Sequence, residues 1–317
     1  MDGFDASGCI DRLAKGTARA IRGLGRRGAV VATSGGIDSS VAAGICVRAL
    51  GADKVVCLRL PERDVGDSAS DLGAELAESL GVRSIEEPIT DALEGLGCYR
   101  QRDEAIKEVF PEYEPSWKHK LVRSAPSASI TVFSLVVERP DGTQEQRRMP
   151  ADAYLSLLAA TNMKQRVRKL REYTWADRLS SAVIGTPNLL EYDQGFFVKG
   201  GDGLADLKPI AGLYKQQVYA LARHLELPEG IAGRAPTTET FSLPQSQEEF
   251  YFGHPYERMD LLVWGEANGV AAAELAPRVG LEPEAVEVAY WEIERRREAT
   301  AYLHAPAVVL DGEPPGA

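Results

Sequence analysis

The run Thr33-Ser34-Gly35-Gly36-Ile37-Asp38-Ser39-Ser40 lies between two segments of opposite character. Before it, Ala29-Val30-Val31-Ala32 is an unbroken apolar stretch that reads as a buried parallel strand. After it, Val41 to Leu50 reads as a helix that stops at Gly51. A strand, a Gly/Ser turn and a helix start make an anion site. Backbone N–H groups point out of the turn, and the helix dipole favours negative charge there. Gly35 and Gly36 let the backbone approach an anion closely. Ser34, Ser39 and Ser40 add hydroxyl donors. Asp38 is out of place in such a nest unless a cation lies between it and the phosphates, which points to Mg2+-bound pyrophosphate. A Walker loop would need a Lys after its second glycine, and this run has none. The plain alternative is a Ser/Gly turn before a helix with no ligand.

Further elements follow at α/β spacing. Residues 8–23 read as an entry helix, 29–33 as the first strand, and 54–60 as the second. A helix over 68–80 carries Leu72, Leu76 and Leu80 on one face, and residues 82–88 read as a third strand. Strand, helix and strand repeated in this way predict a doubly wound parallel sheet, with ligands at the carboxyl ends of its strands. Residues 98–150 break the rhythm. Ser129 to Glu138 alternates as a strand, Pro140-Asp141-Gly142 is a turn, and Thr143 to Met149 pairs back, which predicts a β-hairpin insertion. A basic helix over 152–179, a strand over 181–185 and helices over 213–225, 255–268, 270–278 and 283–303 complete the chain. The expected fold class is α/β, one domain over 1–305, with the insertion, a helical C-terminal extension and a tail over 306–317.

Composition narrows the function. A net charge of −11 disfavours nucleic acid as a partner. No apolar run approaches the length of a membrane span, and the start Met1-Asp2-Gly3-Phe4-Asp5 lacks a secretory pattern. Cys9, Cys46, Cys57 and Cys98 have no paired ligand spacing, so they read as reduced thiols of a cytoplasmic protein.

Asp38 and Glu191 both come just after parallel strands, so both carboxylates fall at the same sheet edge. Mg2+ prefers one or two carboxylates together with phosphate oxygens. Lys215 begins a helix after Gly212-Leu213-Tyr214, where it can meet phosphates as a point charge. Two motifs are decoys. Gly23-Leu24-Gly25-Arg26-Arg27-Gly28 spells a dinucleotide fingerprint but precedes a strand instead of following one. Residues 270–291 faintly suggest a helix-turn-helix, but Glu282, Glu284 and Glu287 would face phosphates.

The run at 33–40 resembles the pyrophosphate loop of the ATP pyrophosphatases that adenylate their substrates, whose fold is Rossmann-like. Five further stretches narrow the resemblance: Asn162-Met163-Lys164-Gln165-Arg166-Val167-Arg168, Gly185-Thr186-Pro187-Asn188-Leu189-Leu190-Glu191, Lys199-Gly200-Gly201-Asp202-Gly203, Pro209-Ile210-Ala211-Gly212-Leu213-Tyr214-Lys215 and Pro236-Thr237-Thr238-Glu239. Their order resembles the ammonia-dependent NAD synthetases across residues 20–260. The resemblance implies a ligase that adenylates the carboxylate of nicotinic acid adenine dinucleotide with ATP. Ammonia then displaces AMP to give NAD. It implies ATP binding by Ser34, Gly35, Gly36, Ile37, Asp38, Ser39, Ser40, Arg59, Thr186, Lys215 and Thr237. Asp38 and Glu191 become Mg2+ ligands. Asn162, Arg166, Lys199 and Asp202 become residues of the dinucleotide side, and Asp38, Lys215 and Asp202 the catalytic set. It also implies a homodimer, with the 152–179 helix and its Leu155, Leu158 and Leu170 at the interface. The short stretch before the loop leaves no room for a glutaminase, so ammonia is taken free or from a separate glutaminase.

Three departures touch the substrate side. Arg295-Arg296-Arg297 stands where the family usually has His-Lys-Arg. Residues 241–249 replace a commoner acidic loop, and the 98–150 insertion is longer than the usual connection. They keep open an amide ligase for a different carboxylate. A third alternative is a non-catalytic ATP-binding module. The insertion carries Trp117, Lys118, His119, Lys120 and Arg123, a cluster expected to face an anionic ligand as part of a cover over the substrate.

Overall fold

In the computed structural model, residues 3–64, 67–123, 133–233 and 240–310 are described. Helix α1 (Ala6–Gly23) precedes strand β1 (Gly28–Ala32), helix α2 (Ile37–Leu50), strand β2 (Val55–Arg59), helix α3 (Asp67–Ser79) and strand β3 (Arg83–Glu86). Helices α4 (Thr90–Gly95) and α5 (Cys98–Lys107) lead into strands β4 (Lys118–Arg123), β5 (Phe133–Glu138) and β6 (Gln144–Arg148). The long helix α6 (Ala151–Leu179) returns the chain to strand β7 (Ser181–Ile184). Helices α7 (Leu189–Asp193), α8 (Lys215–His224), α9 (Glu229–Ala232), α10 (Tyr256–Ala267), α11 (Ala272–Val279) and α12 (Pro283–His304) follow.

The main sheet has the order β3-β2-β1-β7, with every neighbouring pair parallel. Its central strands are apolar because both faces are covered. Ala29, Val31, Val55 and Cys57 pack with residues of α1, α2 and α8, while Val30, Leu58 and Val183 pack with Val167 and Ala176 of α6. Strands β2 and β3 lie on one side of β1 and β7 on the other. The direction of winding therefore reverses between β1 and β7. At such a switch point the loops after the two strands diverge and leave a crevice. The loops that diverge here are Thr33–Gly36 and Gly185–Asn188.

The insertion corrects the hairpin expectation. β5 and β6 do pair through the Pro140-Asp141-Gly142 turn, but β4 adds a third antiparallel strand to β5. This sheet and α5 share a core with the first turns of α6, including Ile106, Phe110, Leu121, Leu135, Leu157 and Phe241. Residues 129–132 of the expected strand lie outside the described residues, as does the expected tail from residue 311 onward. The two decoys resolve as expected. The Gly23–Gly28 run is a helix end and loop, and residues 270–291 pack within the C-terminal helical cluster. Among the described residues no helix is long and apolar enough to cross a membrane.

Candidate active site

Helix α2 starts at Ile37 with Gly36 as its N-cap and no side-chain cap. Its first-turn amides are therefore open to a ligand. Gly35 makes the preceding turn at a φ of +75°, where a side chain would be strained. The hydroxyls of Ser39 and Ser40 bend back to the Gly36 carbonyl, at 3.0 and 2.9 Å. The nest thus rests on backbone donors.

Across the switch point, Asn188 caps α7. Its side chain accepts from the Glu191 amide, and the Glu191 carboxylate accepts from the Asn188 amide, both at 3.1 Å. This reciprocal box places Glu191 towards the nest. Asn188 also donates to Asp38 at 3.1 Å, joining the two loops. Lys215, the first residue of α8, is fully buried and forms an ion pair with Asp38. Burial works against its charge, but the carboxylates of Asp38 and Glu191 hold its ammonium above the usual lysine range. Burial raises the Glu191 carboxyl, and the nearby charge of Asp38 raises it further. Two carboxylates on the facing loops of the switch point are a fitting donor pair for a divalent cation. Mg2+ characteristically takes one or two carboxylates and completes its shell with water and phosphate oxygens.

These groups open onto one cavity of about 670 Å3. Its wall includes Ser34, Gly36, Ile37, Asp38, Ser39, Arg59, Asn162, Arg166, Thr186, Glu191, Lys199, Asp202 and Lys215. Gly35 and Ser40 sit behind the wall, and Thr237 lies outside the described residues. Arg59 turns its guanidinium to Ser84, at 3.0 Å, and to Glu86. Arg166 donates to the Lys199 carbonyl at 3.3 Å, and the Lys199 ammonium reaches the carbonyls of Tyr302 and Ala305. Asp202 accepts from the Val198 amide at 2.7 Å, and burial raises its carboxyl.

Several expectations need correction. The basic cluster of the insertion does not face the cavity. Lys120 pairs with Glu249 at 2.7 Å, Arg123 with Glu292 at 3.2 Å, and His119 is buried against Ser242. None of the three C-terminal arginines lines the cavity. Arg295 pairs with Glu298, Arg296 with Glu292 and Arg297 with Asp193. Tyr302 and Leu303 reach the wall instead, and Leu158 of α6 also turns into it. Sequence reasoning missed Asn188, although Asn-x-x-Glu after a strand spells its capping box. It also missed the rings of Phe133, Tyr154, Phe196, Phe241, Phe250 and Tyr251 on the cavity wall.

Fold and site together define a doubly wound α/β protein in which an anion nest, a lysine and two carboxylates meet at the switch point. The sequence model of the NAD synthase family matches residues 9–110 and 127–302. The NH(3)-dependent NAD(+) synthetase of Rhizobium meliloti (strain 1021) is 50% identical over 303 residues, covering 95% of this chain and 91% of the relative. That of Mesorhizobium japonicum is 49% identical over 308 residues, covering 96% and 97%. The chain belongs to the NAD synthase family. The NMN synthetase of Francisella tularensis shares the fold, with a TM-score of 0.68 at 22% identity over 98% of this chain and 100% of that one.

Proposed function

We propose that this chain uses ATP and ammonia to amidate nicotinic acid adenine dinucleotide, giving NAD, AMP and pyrophosphate. The observation that carries the reading is the meeting of the α2 amides with Lys215, Asp38 and Glu191 at the switch point. Near 50% identity to synthetases of this activity supports it.

A carboxylate is a poor electrophile. Its oxygen attacks the α-phosphorus of ATP, pyrophosphate leaves, and the acyl carbon becomes open to ammonia. Nitrogen attack then expels AMP. The first-turn amides of residues 37–39 and the side chains of Ser34, Thr186, Thr237 and Arg59 would hold the nucleotide, with Ser39 and Ser40 bracing the turn through the Gly36 carbonyl. Lys215 would stay protonated and neutralise the departing pyrophosphate. Asp38 and Glu191 would hold Mg2+, which supplies Lewis-acid stabilisation of the phosphoryl charge. Asn162, Arg166, Lys199 and Asp202 would hold and orient the dinucleotide; positioning of this kind supplies much of such a rate enhancement.

The working unit in this reading is a homodimer. On α6, Leu155 and Leu170 are 58% and 64% exposed, and a second copy would cover them. Sedimentation of a fully active monomer at micromolar concentration would exclude it. The four cysteines are free and buried, which suits a reducing, cytoplasmic setting.

The test is product analysis with ATP, Mg2+, ammonium and a panel of carboxylates, including the dinucleotide and nicotinic acid mononucleotide. Equal amounts of NAD and AMP from the dinucleotide are expected. Amidation of another carboxylate in preference would overturn the substrate assignment, and absence of any ATP cleavage would overturn catalysis. Turnover with ammonium alone would show that no separate glutaminase is required.

A further inference from the structure

Lys164 lies between Asn162 and Arg166 on α6, and those two line the cavity while Lys164 does not. Two residues of helix turn a side chain by about 200°, so Lys164 points into the protein behind the wall. Its side chain is 3% exposed. The ammonium meets three oxygens: the Glu62 carboxylate at 3.0 Å, the Asp64 carboxylate at 2.6 Å and the Thr240 carbonyl at 3.3 Å.

Glu62 and Asp64 belong to the loop that leaves β2. The Glu62 carboxylate also accepts from the Tyr99 hydroxyl at 2.8 Å and from the Asp64 amide at 3.1 Å. Asp64 pairs in turn with the buried Arg102 of α5, and the Arg63 guanidinium lies over the Tyr99 ring, 3.7 Å from its centroid. Burial alone would raise the Asp64 carboxyl, but the charges of Lys164 and Arg102 hold it at about 2. The loop is thus fastened to α5 and α6 through ionised groups. Apolar residues of similar volume often replace a buried ion network with no loss of stability. Stability alone therefore does not account for this one, whereas a fixed geometry does.

The geometry being fixed is that of the cavity. Leu58, Arg59, Leu60 and Pro61 line it immediately before Glu62, and Thr240 and Phe241 line it where the chain meets the same ammonium. These two stretches are far apart in sequence and are brought to one point by Lys164. β2 neighbours β1 on the side away from β7, so the Leu58–Pro61 wall flanks the nest opposite the loop that carries Asn188 and Glu191. We propose that Lys164 is a positioning residue for ATP. It sets the spacing between the Leu58–Pro61 and Thr240–Phe241 stretches, and so the shape of the nucleotide side of the cavity, without touching the nucleotide. The proposal rests on the reading above in naming ATP as the occupant of that side.

Equilibrium dialysis with ATP and with nicotinic acid adenine dinucleotide as separate probes tests it without turnover. Lys164→Met removes the shared ammonium. The double variant Glu62→Gln/Lys164→Met removes an opposite charge with it, which spares the fold an unpaired buried carboxylate. In whichever of the two keeps the native near-UV circular dichroism, the Kd for ATP should rise about tenfold, as for one lost charge-assisted contact, while that for the dinucleotide stays within about twofold. Lys164→Arg keeps a cation and should bring the Kd for ATP back to within about threefold of native. Cys98→Ala breaks the thiol bond to the Ala160 carbonyl, 3.2 Å long, and so loosens α5 on α6 without touching the loop. It should move neither Kd by more than about twofold. Native-like ATP binding in a folded variant without the ammonium would overturn the proposal. So would equal weakening of both probes, a like rise in Cys98→Ala, or failure of both ammonium-free variants to fold, which would leave Lys164 a residue of the fold alone. A chain whose ATP binding depends on Lys164 but that amidates a different carboxylate would sink the functional reading and leave this one standing.

Discussion

The backbone amides of Lys215 and Gln216 donate to the carboxylate of Asp260 at 3.1 and 2.8 Å. Asp260 lies fully buried on α10, a helix that contributes nothing to the cavity wall. It caps α8 from outside and so fixes where Lys215 begins. One turn earlier on the same helix, the Tyr256 ring lies 5.0 Å from the Lys215 ammonium.

Asp260→Ala should therefore lower kcat about tenfold or more while leaving the KM for ammonium unchanged. Loss of a helix cap should also cost about 1–2 kcal/mol of stability, read by urea denaturation. Asp260→Asn keeps an acceptor and should recover part of kcat. If alanine at 260 is less stable but turns over normally, the cap serves folding alone.

Lys215→Met leaves Asp38 and Glu191 facing each other without the ammonium between them. Loss of one preorganised charge at the reacting phosphates typically costs about 100-fold or more. Pyrophosphate release should fall by that order, and Asp38→Ala should abolish it with the fold intact. Near-native release in either variant at limiting Mg2+ would remove that residue from the phosphate chemistry.

Arg166 is exposed on α6 and bound to the Lys199 carbonyl, so its charge is available to a substrate anion. Arg166→Ala should raise the KM for the dinucleotide about tenfold or more, and that for ATP far less. Equal effects on the two would assign it no preference for the dinucleotide.

His119 makes a pH prediction. Burial pushes its imidazole down to about 3, whereas in the unfolded chain it titrates near the ordinary 6.5. The unfolded state then binds the extra proton between those values, so stability falls as pH drops below about 6.5. The slope is roughly 1.4 kcal/mol per pH unit, or about 2 kcal/mol by pH 5. His119→Asn should flatten the dependence of the denaturation midpoint between pH 7 and pH 5. An unchanged slope would place the acid sensitivity elsewhere.

The sheet and its helices were legible because each element carries its own period and punctuation. Val30 and Val31 declare a buried strand, and Gly51 stops α2. The nest at Ser34–Ser39 was legible because its chemistry is local. The aromatic wall was not. Phe133, Tyr154 and Phe241 lie far apart in sequence, and Phe241 is held on this side of the cavity where residues 242–245 bond to β4. Lys118, Lys120 and Arg123 lie on β4, but their charges suggested a ligand surface. The partners of Lys120 and Arg123, Glu249 and Glu292, come from the distant C-terminal third. Asp260 left no trace either, because it caps a helix other than its own.

Helix α6 runs the length of the site. It carries Tyr154 near one end and Glu172 near the other, both on the cavity wall and roughly 27 Å apart along the axis. Each residue turns a helix by about 100°. Inserting or deleting a single residue between them would swing the aromatic end away from Arg166 and Asp202, although every side chain survived. Exchanges of side chain along this helix can be absorbed one at a time, whereas its length between residues 154 and 172 cannot drift. Lineages that share this site should accumulate substitutions in α6 and place their gaps in the loops on either side.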